Sequence, residues 1–309
     1  TKLNSFYTNY PTRNIVYKCF LSRHTEDLSH LPDYDLAWLN KEEIQLFFRL
    51  RECSHRSFMV NHFKNDFLFT FKDNLARFRF QFCPESFILP DDMEQLKLSP
   101  LEDFIVKPAR GSQGKGIFLA TKPQIFEWFS SKYPLIKENQ HLIDQIVDQY
   151  QQQNIPITLE QILKEYQSPI PHIAQKLLNP LLLNGLKFDI RYYLLFANQK
   201  LYRCELAFCR FNLQQYHKTQ ESVLTNCFQQ KFVDGGPKIG INELYELLTQ
   251  RFGRLKVKEL QTNIQKIFLG LKNSFKKELK EENCFELFGI DVLIDDELKP
   301  WLLEVNACP

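Results

Sequence analysis

Phe285-Glu-Leu-Phe-Gly-Ile-Asp291-Val-Leu-Ile-Asp-Asp-Glu-Leu-Lys-Pro-Trp301-Leu-Leu-Glu304-Val-Asn306, near the end of the chain, reads as two apolar strands joined by a charged turn. A turn centred between Glu297 and Leu298 sets Asp291 directly across from Glu304. Asn306 falls two residues further on, hence on the same face. Two carboxylates about 4 Å apart in a partly buried site repel by roughly 4 kcal/mol, so a converging pair calls for a cation. All-oxygen donors suit a hard ion such as Mg²⁺, which retains waters and holds substrate phosphates. The turn residues Asp295, Asp296 and Glu297 are more simply explained as solvated.

Working outward, Leu186-Lys187-Phe188-Asp189-Ile190-Arg191 alternates charged and apolar side chains. On a strand, Lys187, Asp189 and Arg191 then share one face, and Phe188 and Ile190 the other. The apolar run Tyr192 to Ala197 continues that strand into a covered sheet. If the next turn is centred between Asn198 and Gln199, Arg210 on the return strand lies opposite Lys187. Such a cationic face can seat phosphates and a substrate carboxylate. Gln175-Lys176, upstream, adds an amide and a further cation.

Phe104-Ile-Val-Lys107-Pro-Ala-Arg-Gly111-Ser-Gln-Gly114-Lys115-Gly116-Ile-Phe-Leu-Ala120 holds three glycines within six residues. They let backbone N–H groups approach a phosphate closely. Gly116 is followed by Ile117 rather than Lys and Ser/Thr, which excludes a P-loop. A strand, not a helix, follows the loop, which excludes a dinucleotide-binding turn. A strand–loop–strand flap with Lys107 on the incoming strand suits a lid over a triphosphate. A fourth, weaker segment, Leu224-Thr225-Asn226-Cys-Phe-Gln-Gln-Lys231, offers hydroxyl, amide and ammonium groups.

The remaining chain is read from periodicity. Helices are expected over 41–50, 73–80, 241–252 and 259–281, and strands over 87–90, 104–106, 117–120, 172–178, 186–196, 200–211, 285–294 and 301–306. Residues 130–171 read as helix, linker and helix, with Thr158 and Gln161 as a capping box. The mixture without strict alternation indicates α+β or irregular α/β. With 309 residues, 44% of them hydrophobic, the chain can bury a core divided into two or three lobes. Lys and Arg number 39 against 37 Asp and Glu, too balanced for a protein that coats nucleic acid. The eight cysteines form no C-x-x-C pair, as expected of reduced intracellular thiols. No apolar run approaches the roughly 18–20 residues that cross a bilayer, and no secretory leader is visible, so no membrane partner is expected.

These elements, in this order, resemble the tubulin tyrosine ligase-like family of ATP-grasp amino-acid ligases. The segments that carry the likeness are Val106-Lys107-Pro108 with Ser112 to Leu119, Lys187 to Arg191, Thr225-Asn226, and Lys299 to Asn306. Val60-Asn-His-Phe63 resembles a segment of the polyglutamylase branch, and the likeness spans roughly residues 55–309. It implies an ATP-grasp-like α+β fold with three parts: an N-terminal lobe (1–85), a central lobe with flap and helical insertion (86–174), and a C-terminal lobe (175–309). By the same likeness, Lys107, Gln113, Gly114, Gln175, Lys176, Leu177, Leu178, Lys187, Asp189, Thr225 and Asn226 would bind ATP. Arg191, with Arg210 and Lys231, would hold the amino-acid substrate, and Asp291, Glu304 and Asn306 would hold Mg²⁺. Lys107, Arg191 and Glu304 would be catalytic.

The implied reaction adds glutamate to glutamate side chains of tubulin tails through an acyl phosphate. Glycine transfer, or a non-catalytic microtubule-associated role on the same scaffold, are the alternatives. Implied partners are tubulin or microtubule C-terminal tails, free glutamate or glycine, and accessory subunits. The implied setting is the cytoplasmic cytoskeleton, at a cilium, axoneme or basal body. Val223 and Cys227 stand where the family usually has His and Tyr, which bears on the amino acid chosen. The chain stops at Pro309 where the family normally continues, as a truncated chain would. Basic groups at His55-Arg56, Arg77, Arg79 and Arg251 to Lys258 are candidates for docking an acidic tail.

Overall fold

The structure is a computed structural model and describes residues 5–8, 26–27, 36–39, 59–111, 114–132, 171–219 and 238–307. The helices expected over 41–50 and within 130–171, the Thr158–Gln161 cap, Gln113, Thr225, Asn226, Lys231, Val223 and Cys227 lie outside the described residues.

Two sheets organise the fold. The larger contains β1 (Ser5–Thr8), β2 (Glu26–Asp27), β3 (Leu36–Trp38), β4 (Met59–Asn61), β9 (Leu182–Leu183), β10 (Leu186–Ala197), β11 (Lys200–Gln215), β12 (Lys238–Gly240), β13 (Cys284–Ile294) and β14 (Pro300–Ala307). The order β12-β11-β10-β13 is antiparallel, and β4 then joins the first residues of β13 in parallel. β14 pairs with the remainder of β13. The smaller sheet is antiparallel, in the order β5 (Ser86–Leu89), β8 (His172–Lys176), β6 (Asp103–Pro108), β7 (Phe118–Thr121). The N-terminal and C-terminal segments therefore contribute strands to one sheet, while the central segment builds the other.

Of the helices, α1 (Phe67–Thr70) and α2 (Lys72–Arg77) bridge the sheets, with Phe69 and Leu75 in the large-sheet core and α2 against β5 and β8, while α3 (Met93–Leu98) and α4 (Lys122–Lys132) cover the outer face of the small sheet. The sequence reading did not anticipate α4. Gln124 reaches back to the Thr121 N–H at 2.9 Å, half of a T-x-x-Q capping box. α5 (Ile241–Phe252) and α6 (Arg254–Glu278) pack on the large sheet. On α6, Val257, Leu260, Ile264, Ile267, Phe268, Leu271 and Phe275 recur every three or four residues and are all buried. That spacing puts them on one face of a 3.6-residue helix, each worth about 1.5–3 kcal/mol when removed from water.

Aromatic rings tie the N-terminal segment to this core. Phe69 meets Phe275 edge-on at 4.7 Å, and Phe78, Phe80 and Phe82 stack at 5.2 and 4.7 Å. Phe82 lies against Gly270 of α6, where a Cβ would come within 2.5 Å of the ring. Beside β4, buried His62 approaches Glu286 through Nδ1 at 2.6 Å, and Asn61 bonds both the N–H and the carbonyl of Leu39. The Val60 to Phe63 segment thus joins β3 and β13 through buried polar contacts.

Candidate active site

The cleft lies where the inner face of the small sheet meets the charged face of β10, β11, β13 and β14. Alternation along β10 sends Phe188 and Ile190 into the core at 1% and 0% exposure and leaves Lys187, Asp189 and Arg191 on the opposite face. On β13, Asp291 is flanked by Arg191 of β10 and Glu304 of β14.

Two register details differ from the expectation. Asp291 does pair with Glu304, but Ile294 pairs with Pro300, which centres the turn on Glu297. A bulge between the Asp291 and Val292 pairs then absorbs one residue of β14, at Leu303. The two departures offset each other. The second difference is a correction: Arg210 lies opposite Asp189, not Lys187. The β10–β11 turn is centred as expected, with Ala197 opposite Lys200. The ladder then shifts by two residues between the Tyr192 and Leu194 pairs. A two-residue shift preserves the face, so Arg210 still points into the cleft but meets a carboxylate instead of an ammonium.

That carboxylate is the start of a network. Arg210 Nε donates to Asp189 Oδ1 at 2.7 Å, and its terminal nitrogen lies 3.0 Å from Asp291 Oδ2. Arg191 grips Asp291 in a two-pronged pair, Nε to Oδ1 and terminal nitrogen to Oδ2, the latter at 2.9 Å. Burial alone would raise Asp291, but the Arg191 hydrogen bond and the Arg210 charge outweigh it and hold it below its usual value. Glu304 behaves oppositely. Burial and then the charge of Asp291 push it above the usual carboxylate range. Asn306 directs Nδ2 to Glu304 Oε1 at 3.1 Å and to Asp291 Oδ2 at 3.3 Å.

The small sheet supplies the facing cations. Lys107 of β6 is buried and donates to Gln175 Oε1 of β8 at 2.8 Å, and Gln175 in turn donates to Ser86. Burial lowers Lys107 to about 8, against the pull of Glu304. Lys187 is also lowered to about 8 by burial, against the pull of Asp189. Lys72, at the start of α2, is a site residue that the sequence reading missed. Its Nζ donates to Gly111 O at 2.9 Å and lies 3.7 Å from Glu304 Oε2. Its backbone N–H bonds Ala109 O, so α2 is fastened to the base of the glycine loop. The sequence signal was slight: one lysine heading a short helical pattern.

Within the loop, Gly114 and Gly116 both have φ of +71°. A Cβ on Gly116 would also come 3.0 Å from Pro108 Cγ, so this turn demands glycine. From β8 the chain crosses between sheets through Leu177 and Leu178. Leu177 N–H bonds Asp103 O on the small sheet, while Leu181 N–H bonds Ile294 O on the large one. Lys176, Leu177 and Leu178 are half-buried on this crossing. The cleft thus gathers Lys72, Lys107, Lys187, Arg191 and Arg210 around Asp189, Asp291 and Glu304. Cations outnumber carboxylates there, a balance that favours an anionic ligand.

Whether Mg²⁺ suits this donor set can be judged from the carboxylates. Asp291 has its arginines, whereas half-buried Glu304 sits beside a like charge and is held above its normal range. A divalent cation between them would relieve that repulsion, and the oxygen donors are of the right type. Asn306 as oriented presents its NH₂, so to act as a ligand its amide would have to turn and present its oxygen.

Two facing sheets, a glycine-bearing strand–loop–strand on one and an opposed carboxylate pair on the other define a mixed α+β protein of ATP-grasp-like architecture. A profile of the tubulin-tyrosine ligase family matches residues 50–309, and the chain belongs to that family. It is 26% identical to a probable tubulin polyglutamylase of Caenorhabditis elegans over 96% of this chain and 75% of that protein. It is 27% identical to a probable alpha-tubulin polyglutamylase of Tetrahymena thermophila, covering 90% of this chain and 72% of that one. A probable tubulin polyglutamylase of Rattus norvegicus is 31% identical over 84% of this chain and 66% of its own length.

Proposed function

We propose that this ligase adds glutamate to glutamate side chains of tubulin tails, using Mg-ATP. The observation that carries the reading is the meeting of the Asp291–Glu304 pair with Lys72 and Lys107 at the base of the glycine loop. The names of the relatives supply the substrate class.

In this reading ATP lies between the sheets, its adenine against Gln175 to Leu178, its ribose toward Asp189 and its phosphates within reach of Lys187. Lys72 and Lys107 neutralise the phosphates. Bound Mg²⁺, held by Asp291, Glu304 and a reoriented Asn306, would supply charge stabilisation to the transferring phosphoryl group. An oxygen of the acceptor carboxylate attacks the γ-phosphorus, the bond to the bridging β,γ-oxygen breaks, and ADP leaves with an acyl phosphate formed. The amino group of free glutamate attacks the acyl carbon, expels phosphate and loses a proton, leaving an amide. By resemblance Arg191 would take the carboxylate of the incoming amino acid, with Arg210 beside it, using the part of its guanidinium not bonded to Asp291. Gln113, Thr225, Asn226 and Lys231 belong to the same proposed site by resemblance alone. Three lobes, cytoskeletal localisation at a cilium or basal body, and accessory subunits are part of the same proposal.

Tubulin incubated with Mg-ATP and, separately, labelled glutamate or glycine tests it, with the modified peptide read by mass spectrometry. Glutamate on a tail glutamate is the expected product. Transfer of glycine alone, or no transfer by enzyme that binds Mg-ATP, would contradict the assignment.

A further inference from the structure

The reaction cleft uses one face of the large sheet, and α6 covers the other, packed into the core that holds Phe188 and Ile190. The outer face of α6 carries an unexplained charge pattern. Residues 251–280 hold nine basic side chains against two acidic, Glu259 and Glu278, although the whole chain is almost balanced. Helical spacing places Lys258, Lys266, Lys276 and Lys277, with Glu259 among them, on the solvent side of the helix away from the buried stripe, and Lys280 just beyond the last turn. All five are exposed. From Lys258 to Lys276 this row extends about 27 Å.

Local contacts do not account for the row. Lys266 donates to Asn263 one turn back, and Lys277 lies 3.6 Å from the adjacent Glu278. Among the described residues none of these lysines pairs with a carboxylate of another element. The same side of the helix also carries two single exposed leucines, Leu255 before the row and Leu269 within it. A row of lysines on a rigid helix suits an acidic protein surface that offers carboxylates along a matching length.

We infer that the outer face of α6 is a second docking surface, engaging an acidic surface of the protein substrate away from the side chain being modified. The identity of the partner rests on the function proposed above, whose product gains a negative charge with each residue added. Because α6 and the cleft lie on opposite faces of one sheet, this dock raises the local concentration of substrate without touching the chemistry. It therefore acts on KM for the assembled substrate and leaves kcat alone.

The test uses Lys258→Gln, Lys266→Gln, Lys276→Gln and Lys277→Gln combined, with the melting temperature confirming the fold. Co-sedimentation with microtubules in the absence of ATP reads binding without turnover. Loss of four partly screened contacts is expected to weaken binding about tenfold at 0.15 M salt and to matter little at 0.5 M. KM for microtubules should rise similarly, while kcat and KM for a short glutamate-containing peptide stay constant. Unchanged microtubule affinity would overturn the inference. So would equal loss toward the short peptide, or tighter wild-type binding to vesicles of 30% phosphatidylserine in phosphatidylcholine, or to RNA, than to microtubules. If the wild type binds microtubules through these lysines yet transfers no glutamate, the proposed reaction falls and the dock stands. If it transfers glutamate and the variant's KM is unmoved, the dock alone falls.

Discussion

Glu304 carries a residue-scale consequence. Its carboxyl is raised by burial and by Asp291, so between its ordinary value and its raised value the folded chain holds more protons than the unfolded one. Stability attributable to this group therefore falls as pH rises through that window. Glu304→Gln removes the repulsion and keeps the shape. The variant should lose ligation while its melting temperature at pH 7 stays level or rises by up to about 3 °C. At pH 4 the two proteins should melt alike. A drop at pH 7 would instead mark Glu304 as the anchor that holds Lys72. The lysines titrate the other way. Lys107 and Lys187 are both lowered to about 8 in the free protein, and a bound triphosphate favours their charged form. ATP affinity should thus hold to about pH 8 and then weaken, by up to tenfold per pH unit per lysine, with protons taken up on binding. Calorimetry between pH 7 and 9.5 checks this, and a flat profile would remove both ammonium groups from the phosphate site.

For elements, period and capping made much of the fold legible. β10, β13 and α5 lie within a residue or so of their expected bounds, because alternation on strands and 3.6-residue spacing on helices leave a direct trace in sequence. Bulges leave none. The two-residue shift that moves Arg210 from Lys187 to Asp189, and the Leu303 bulge, follow from how the twisted ladder accommodates its neighbours. Lys72 was hidden for a related reason: only the packing of α2 against the glycine loop distinguishes it from any solvated lysine. α4 was recoverable, since Thr121 to Gln124 has the spacing of a cap. The flap offers a test at this scale. Gly116→Ala forces a side chain into a left-handed turn beside Pro108. KM for ATP should rise several-fold with little change in melting temperature, since the loop contributes few buried contacts. An unaltered KM would show that the flap does not close over the nucleotide.

As a whole molecule, the chain brings a cation-bearing small sheet against a carboxylate-bearing large sheet, and the crossing at Leu177 to Leu181 links them. Each sheet alone would be unfavourable: Lys107 is buried with its charge, and half-buried Glu304 is crowded against Asp291. Facing one another they offset part of that cost, and a magnesium-loaded triphosphate would offset the rest. Calorimetric titration of ATP with and without Mg²⁺, in the wild type and in Asp291→Asn with Glu304→Gln, tests this most directly. The account predicts that Mg²⁺ tightens ATP binding at least tenfold in the wild type and has almost no effect in the double variant. An equal Mg²⁺ effect in both proteins would place the cation elsewhere and contradict the account.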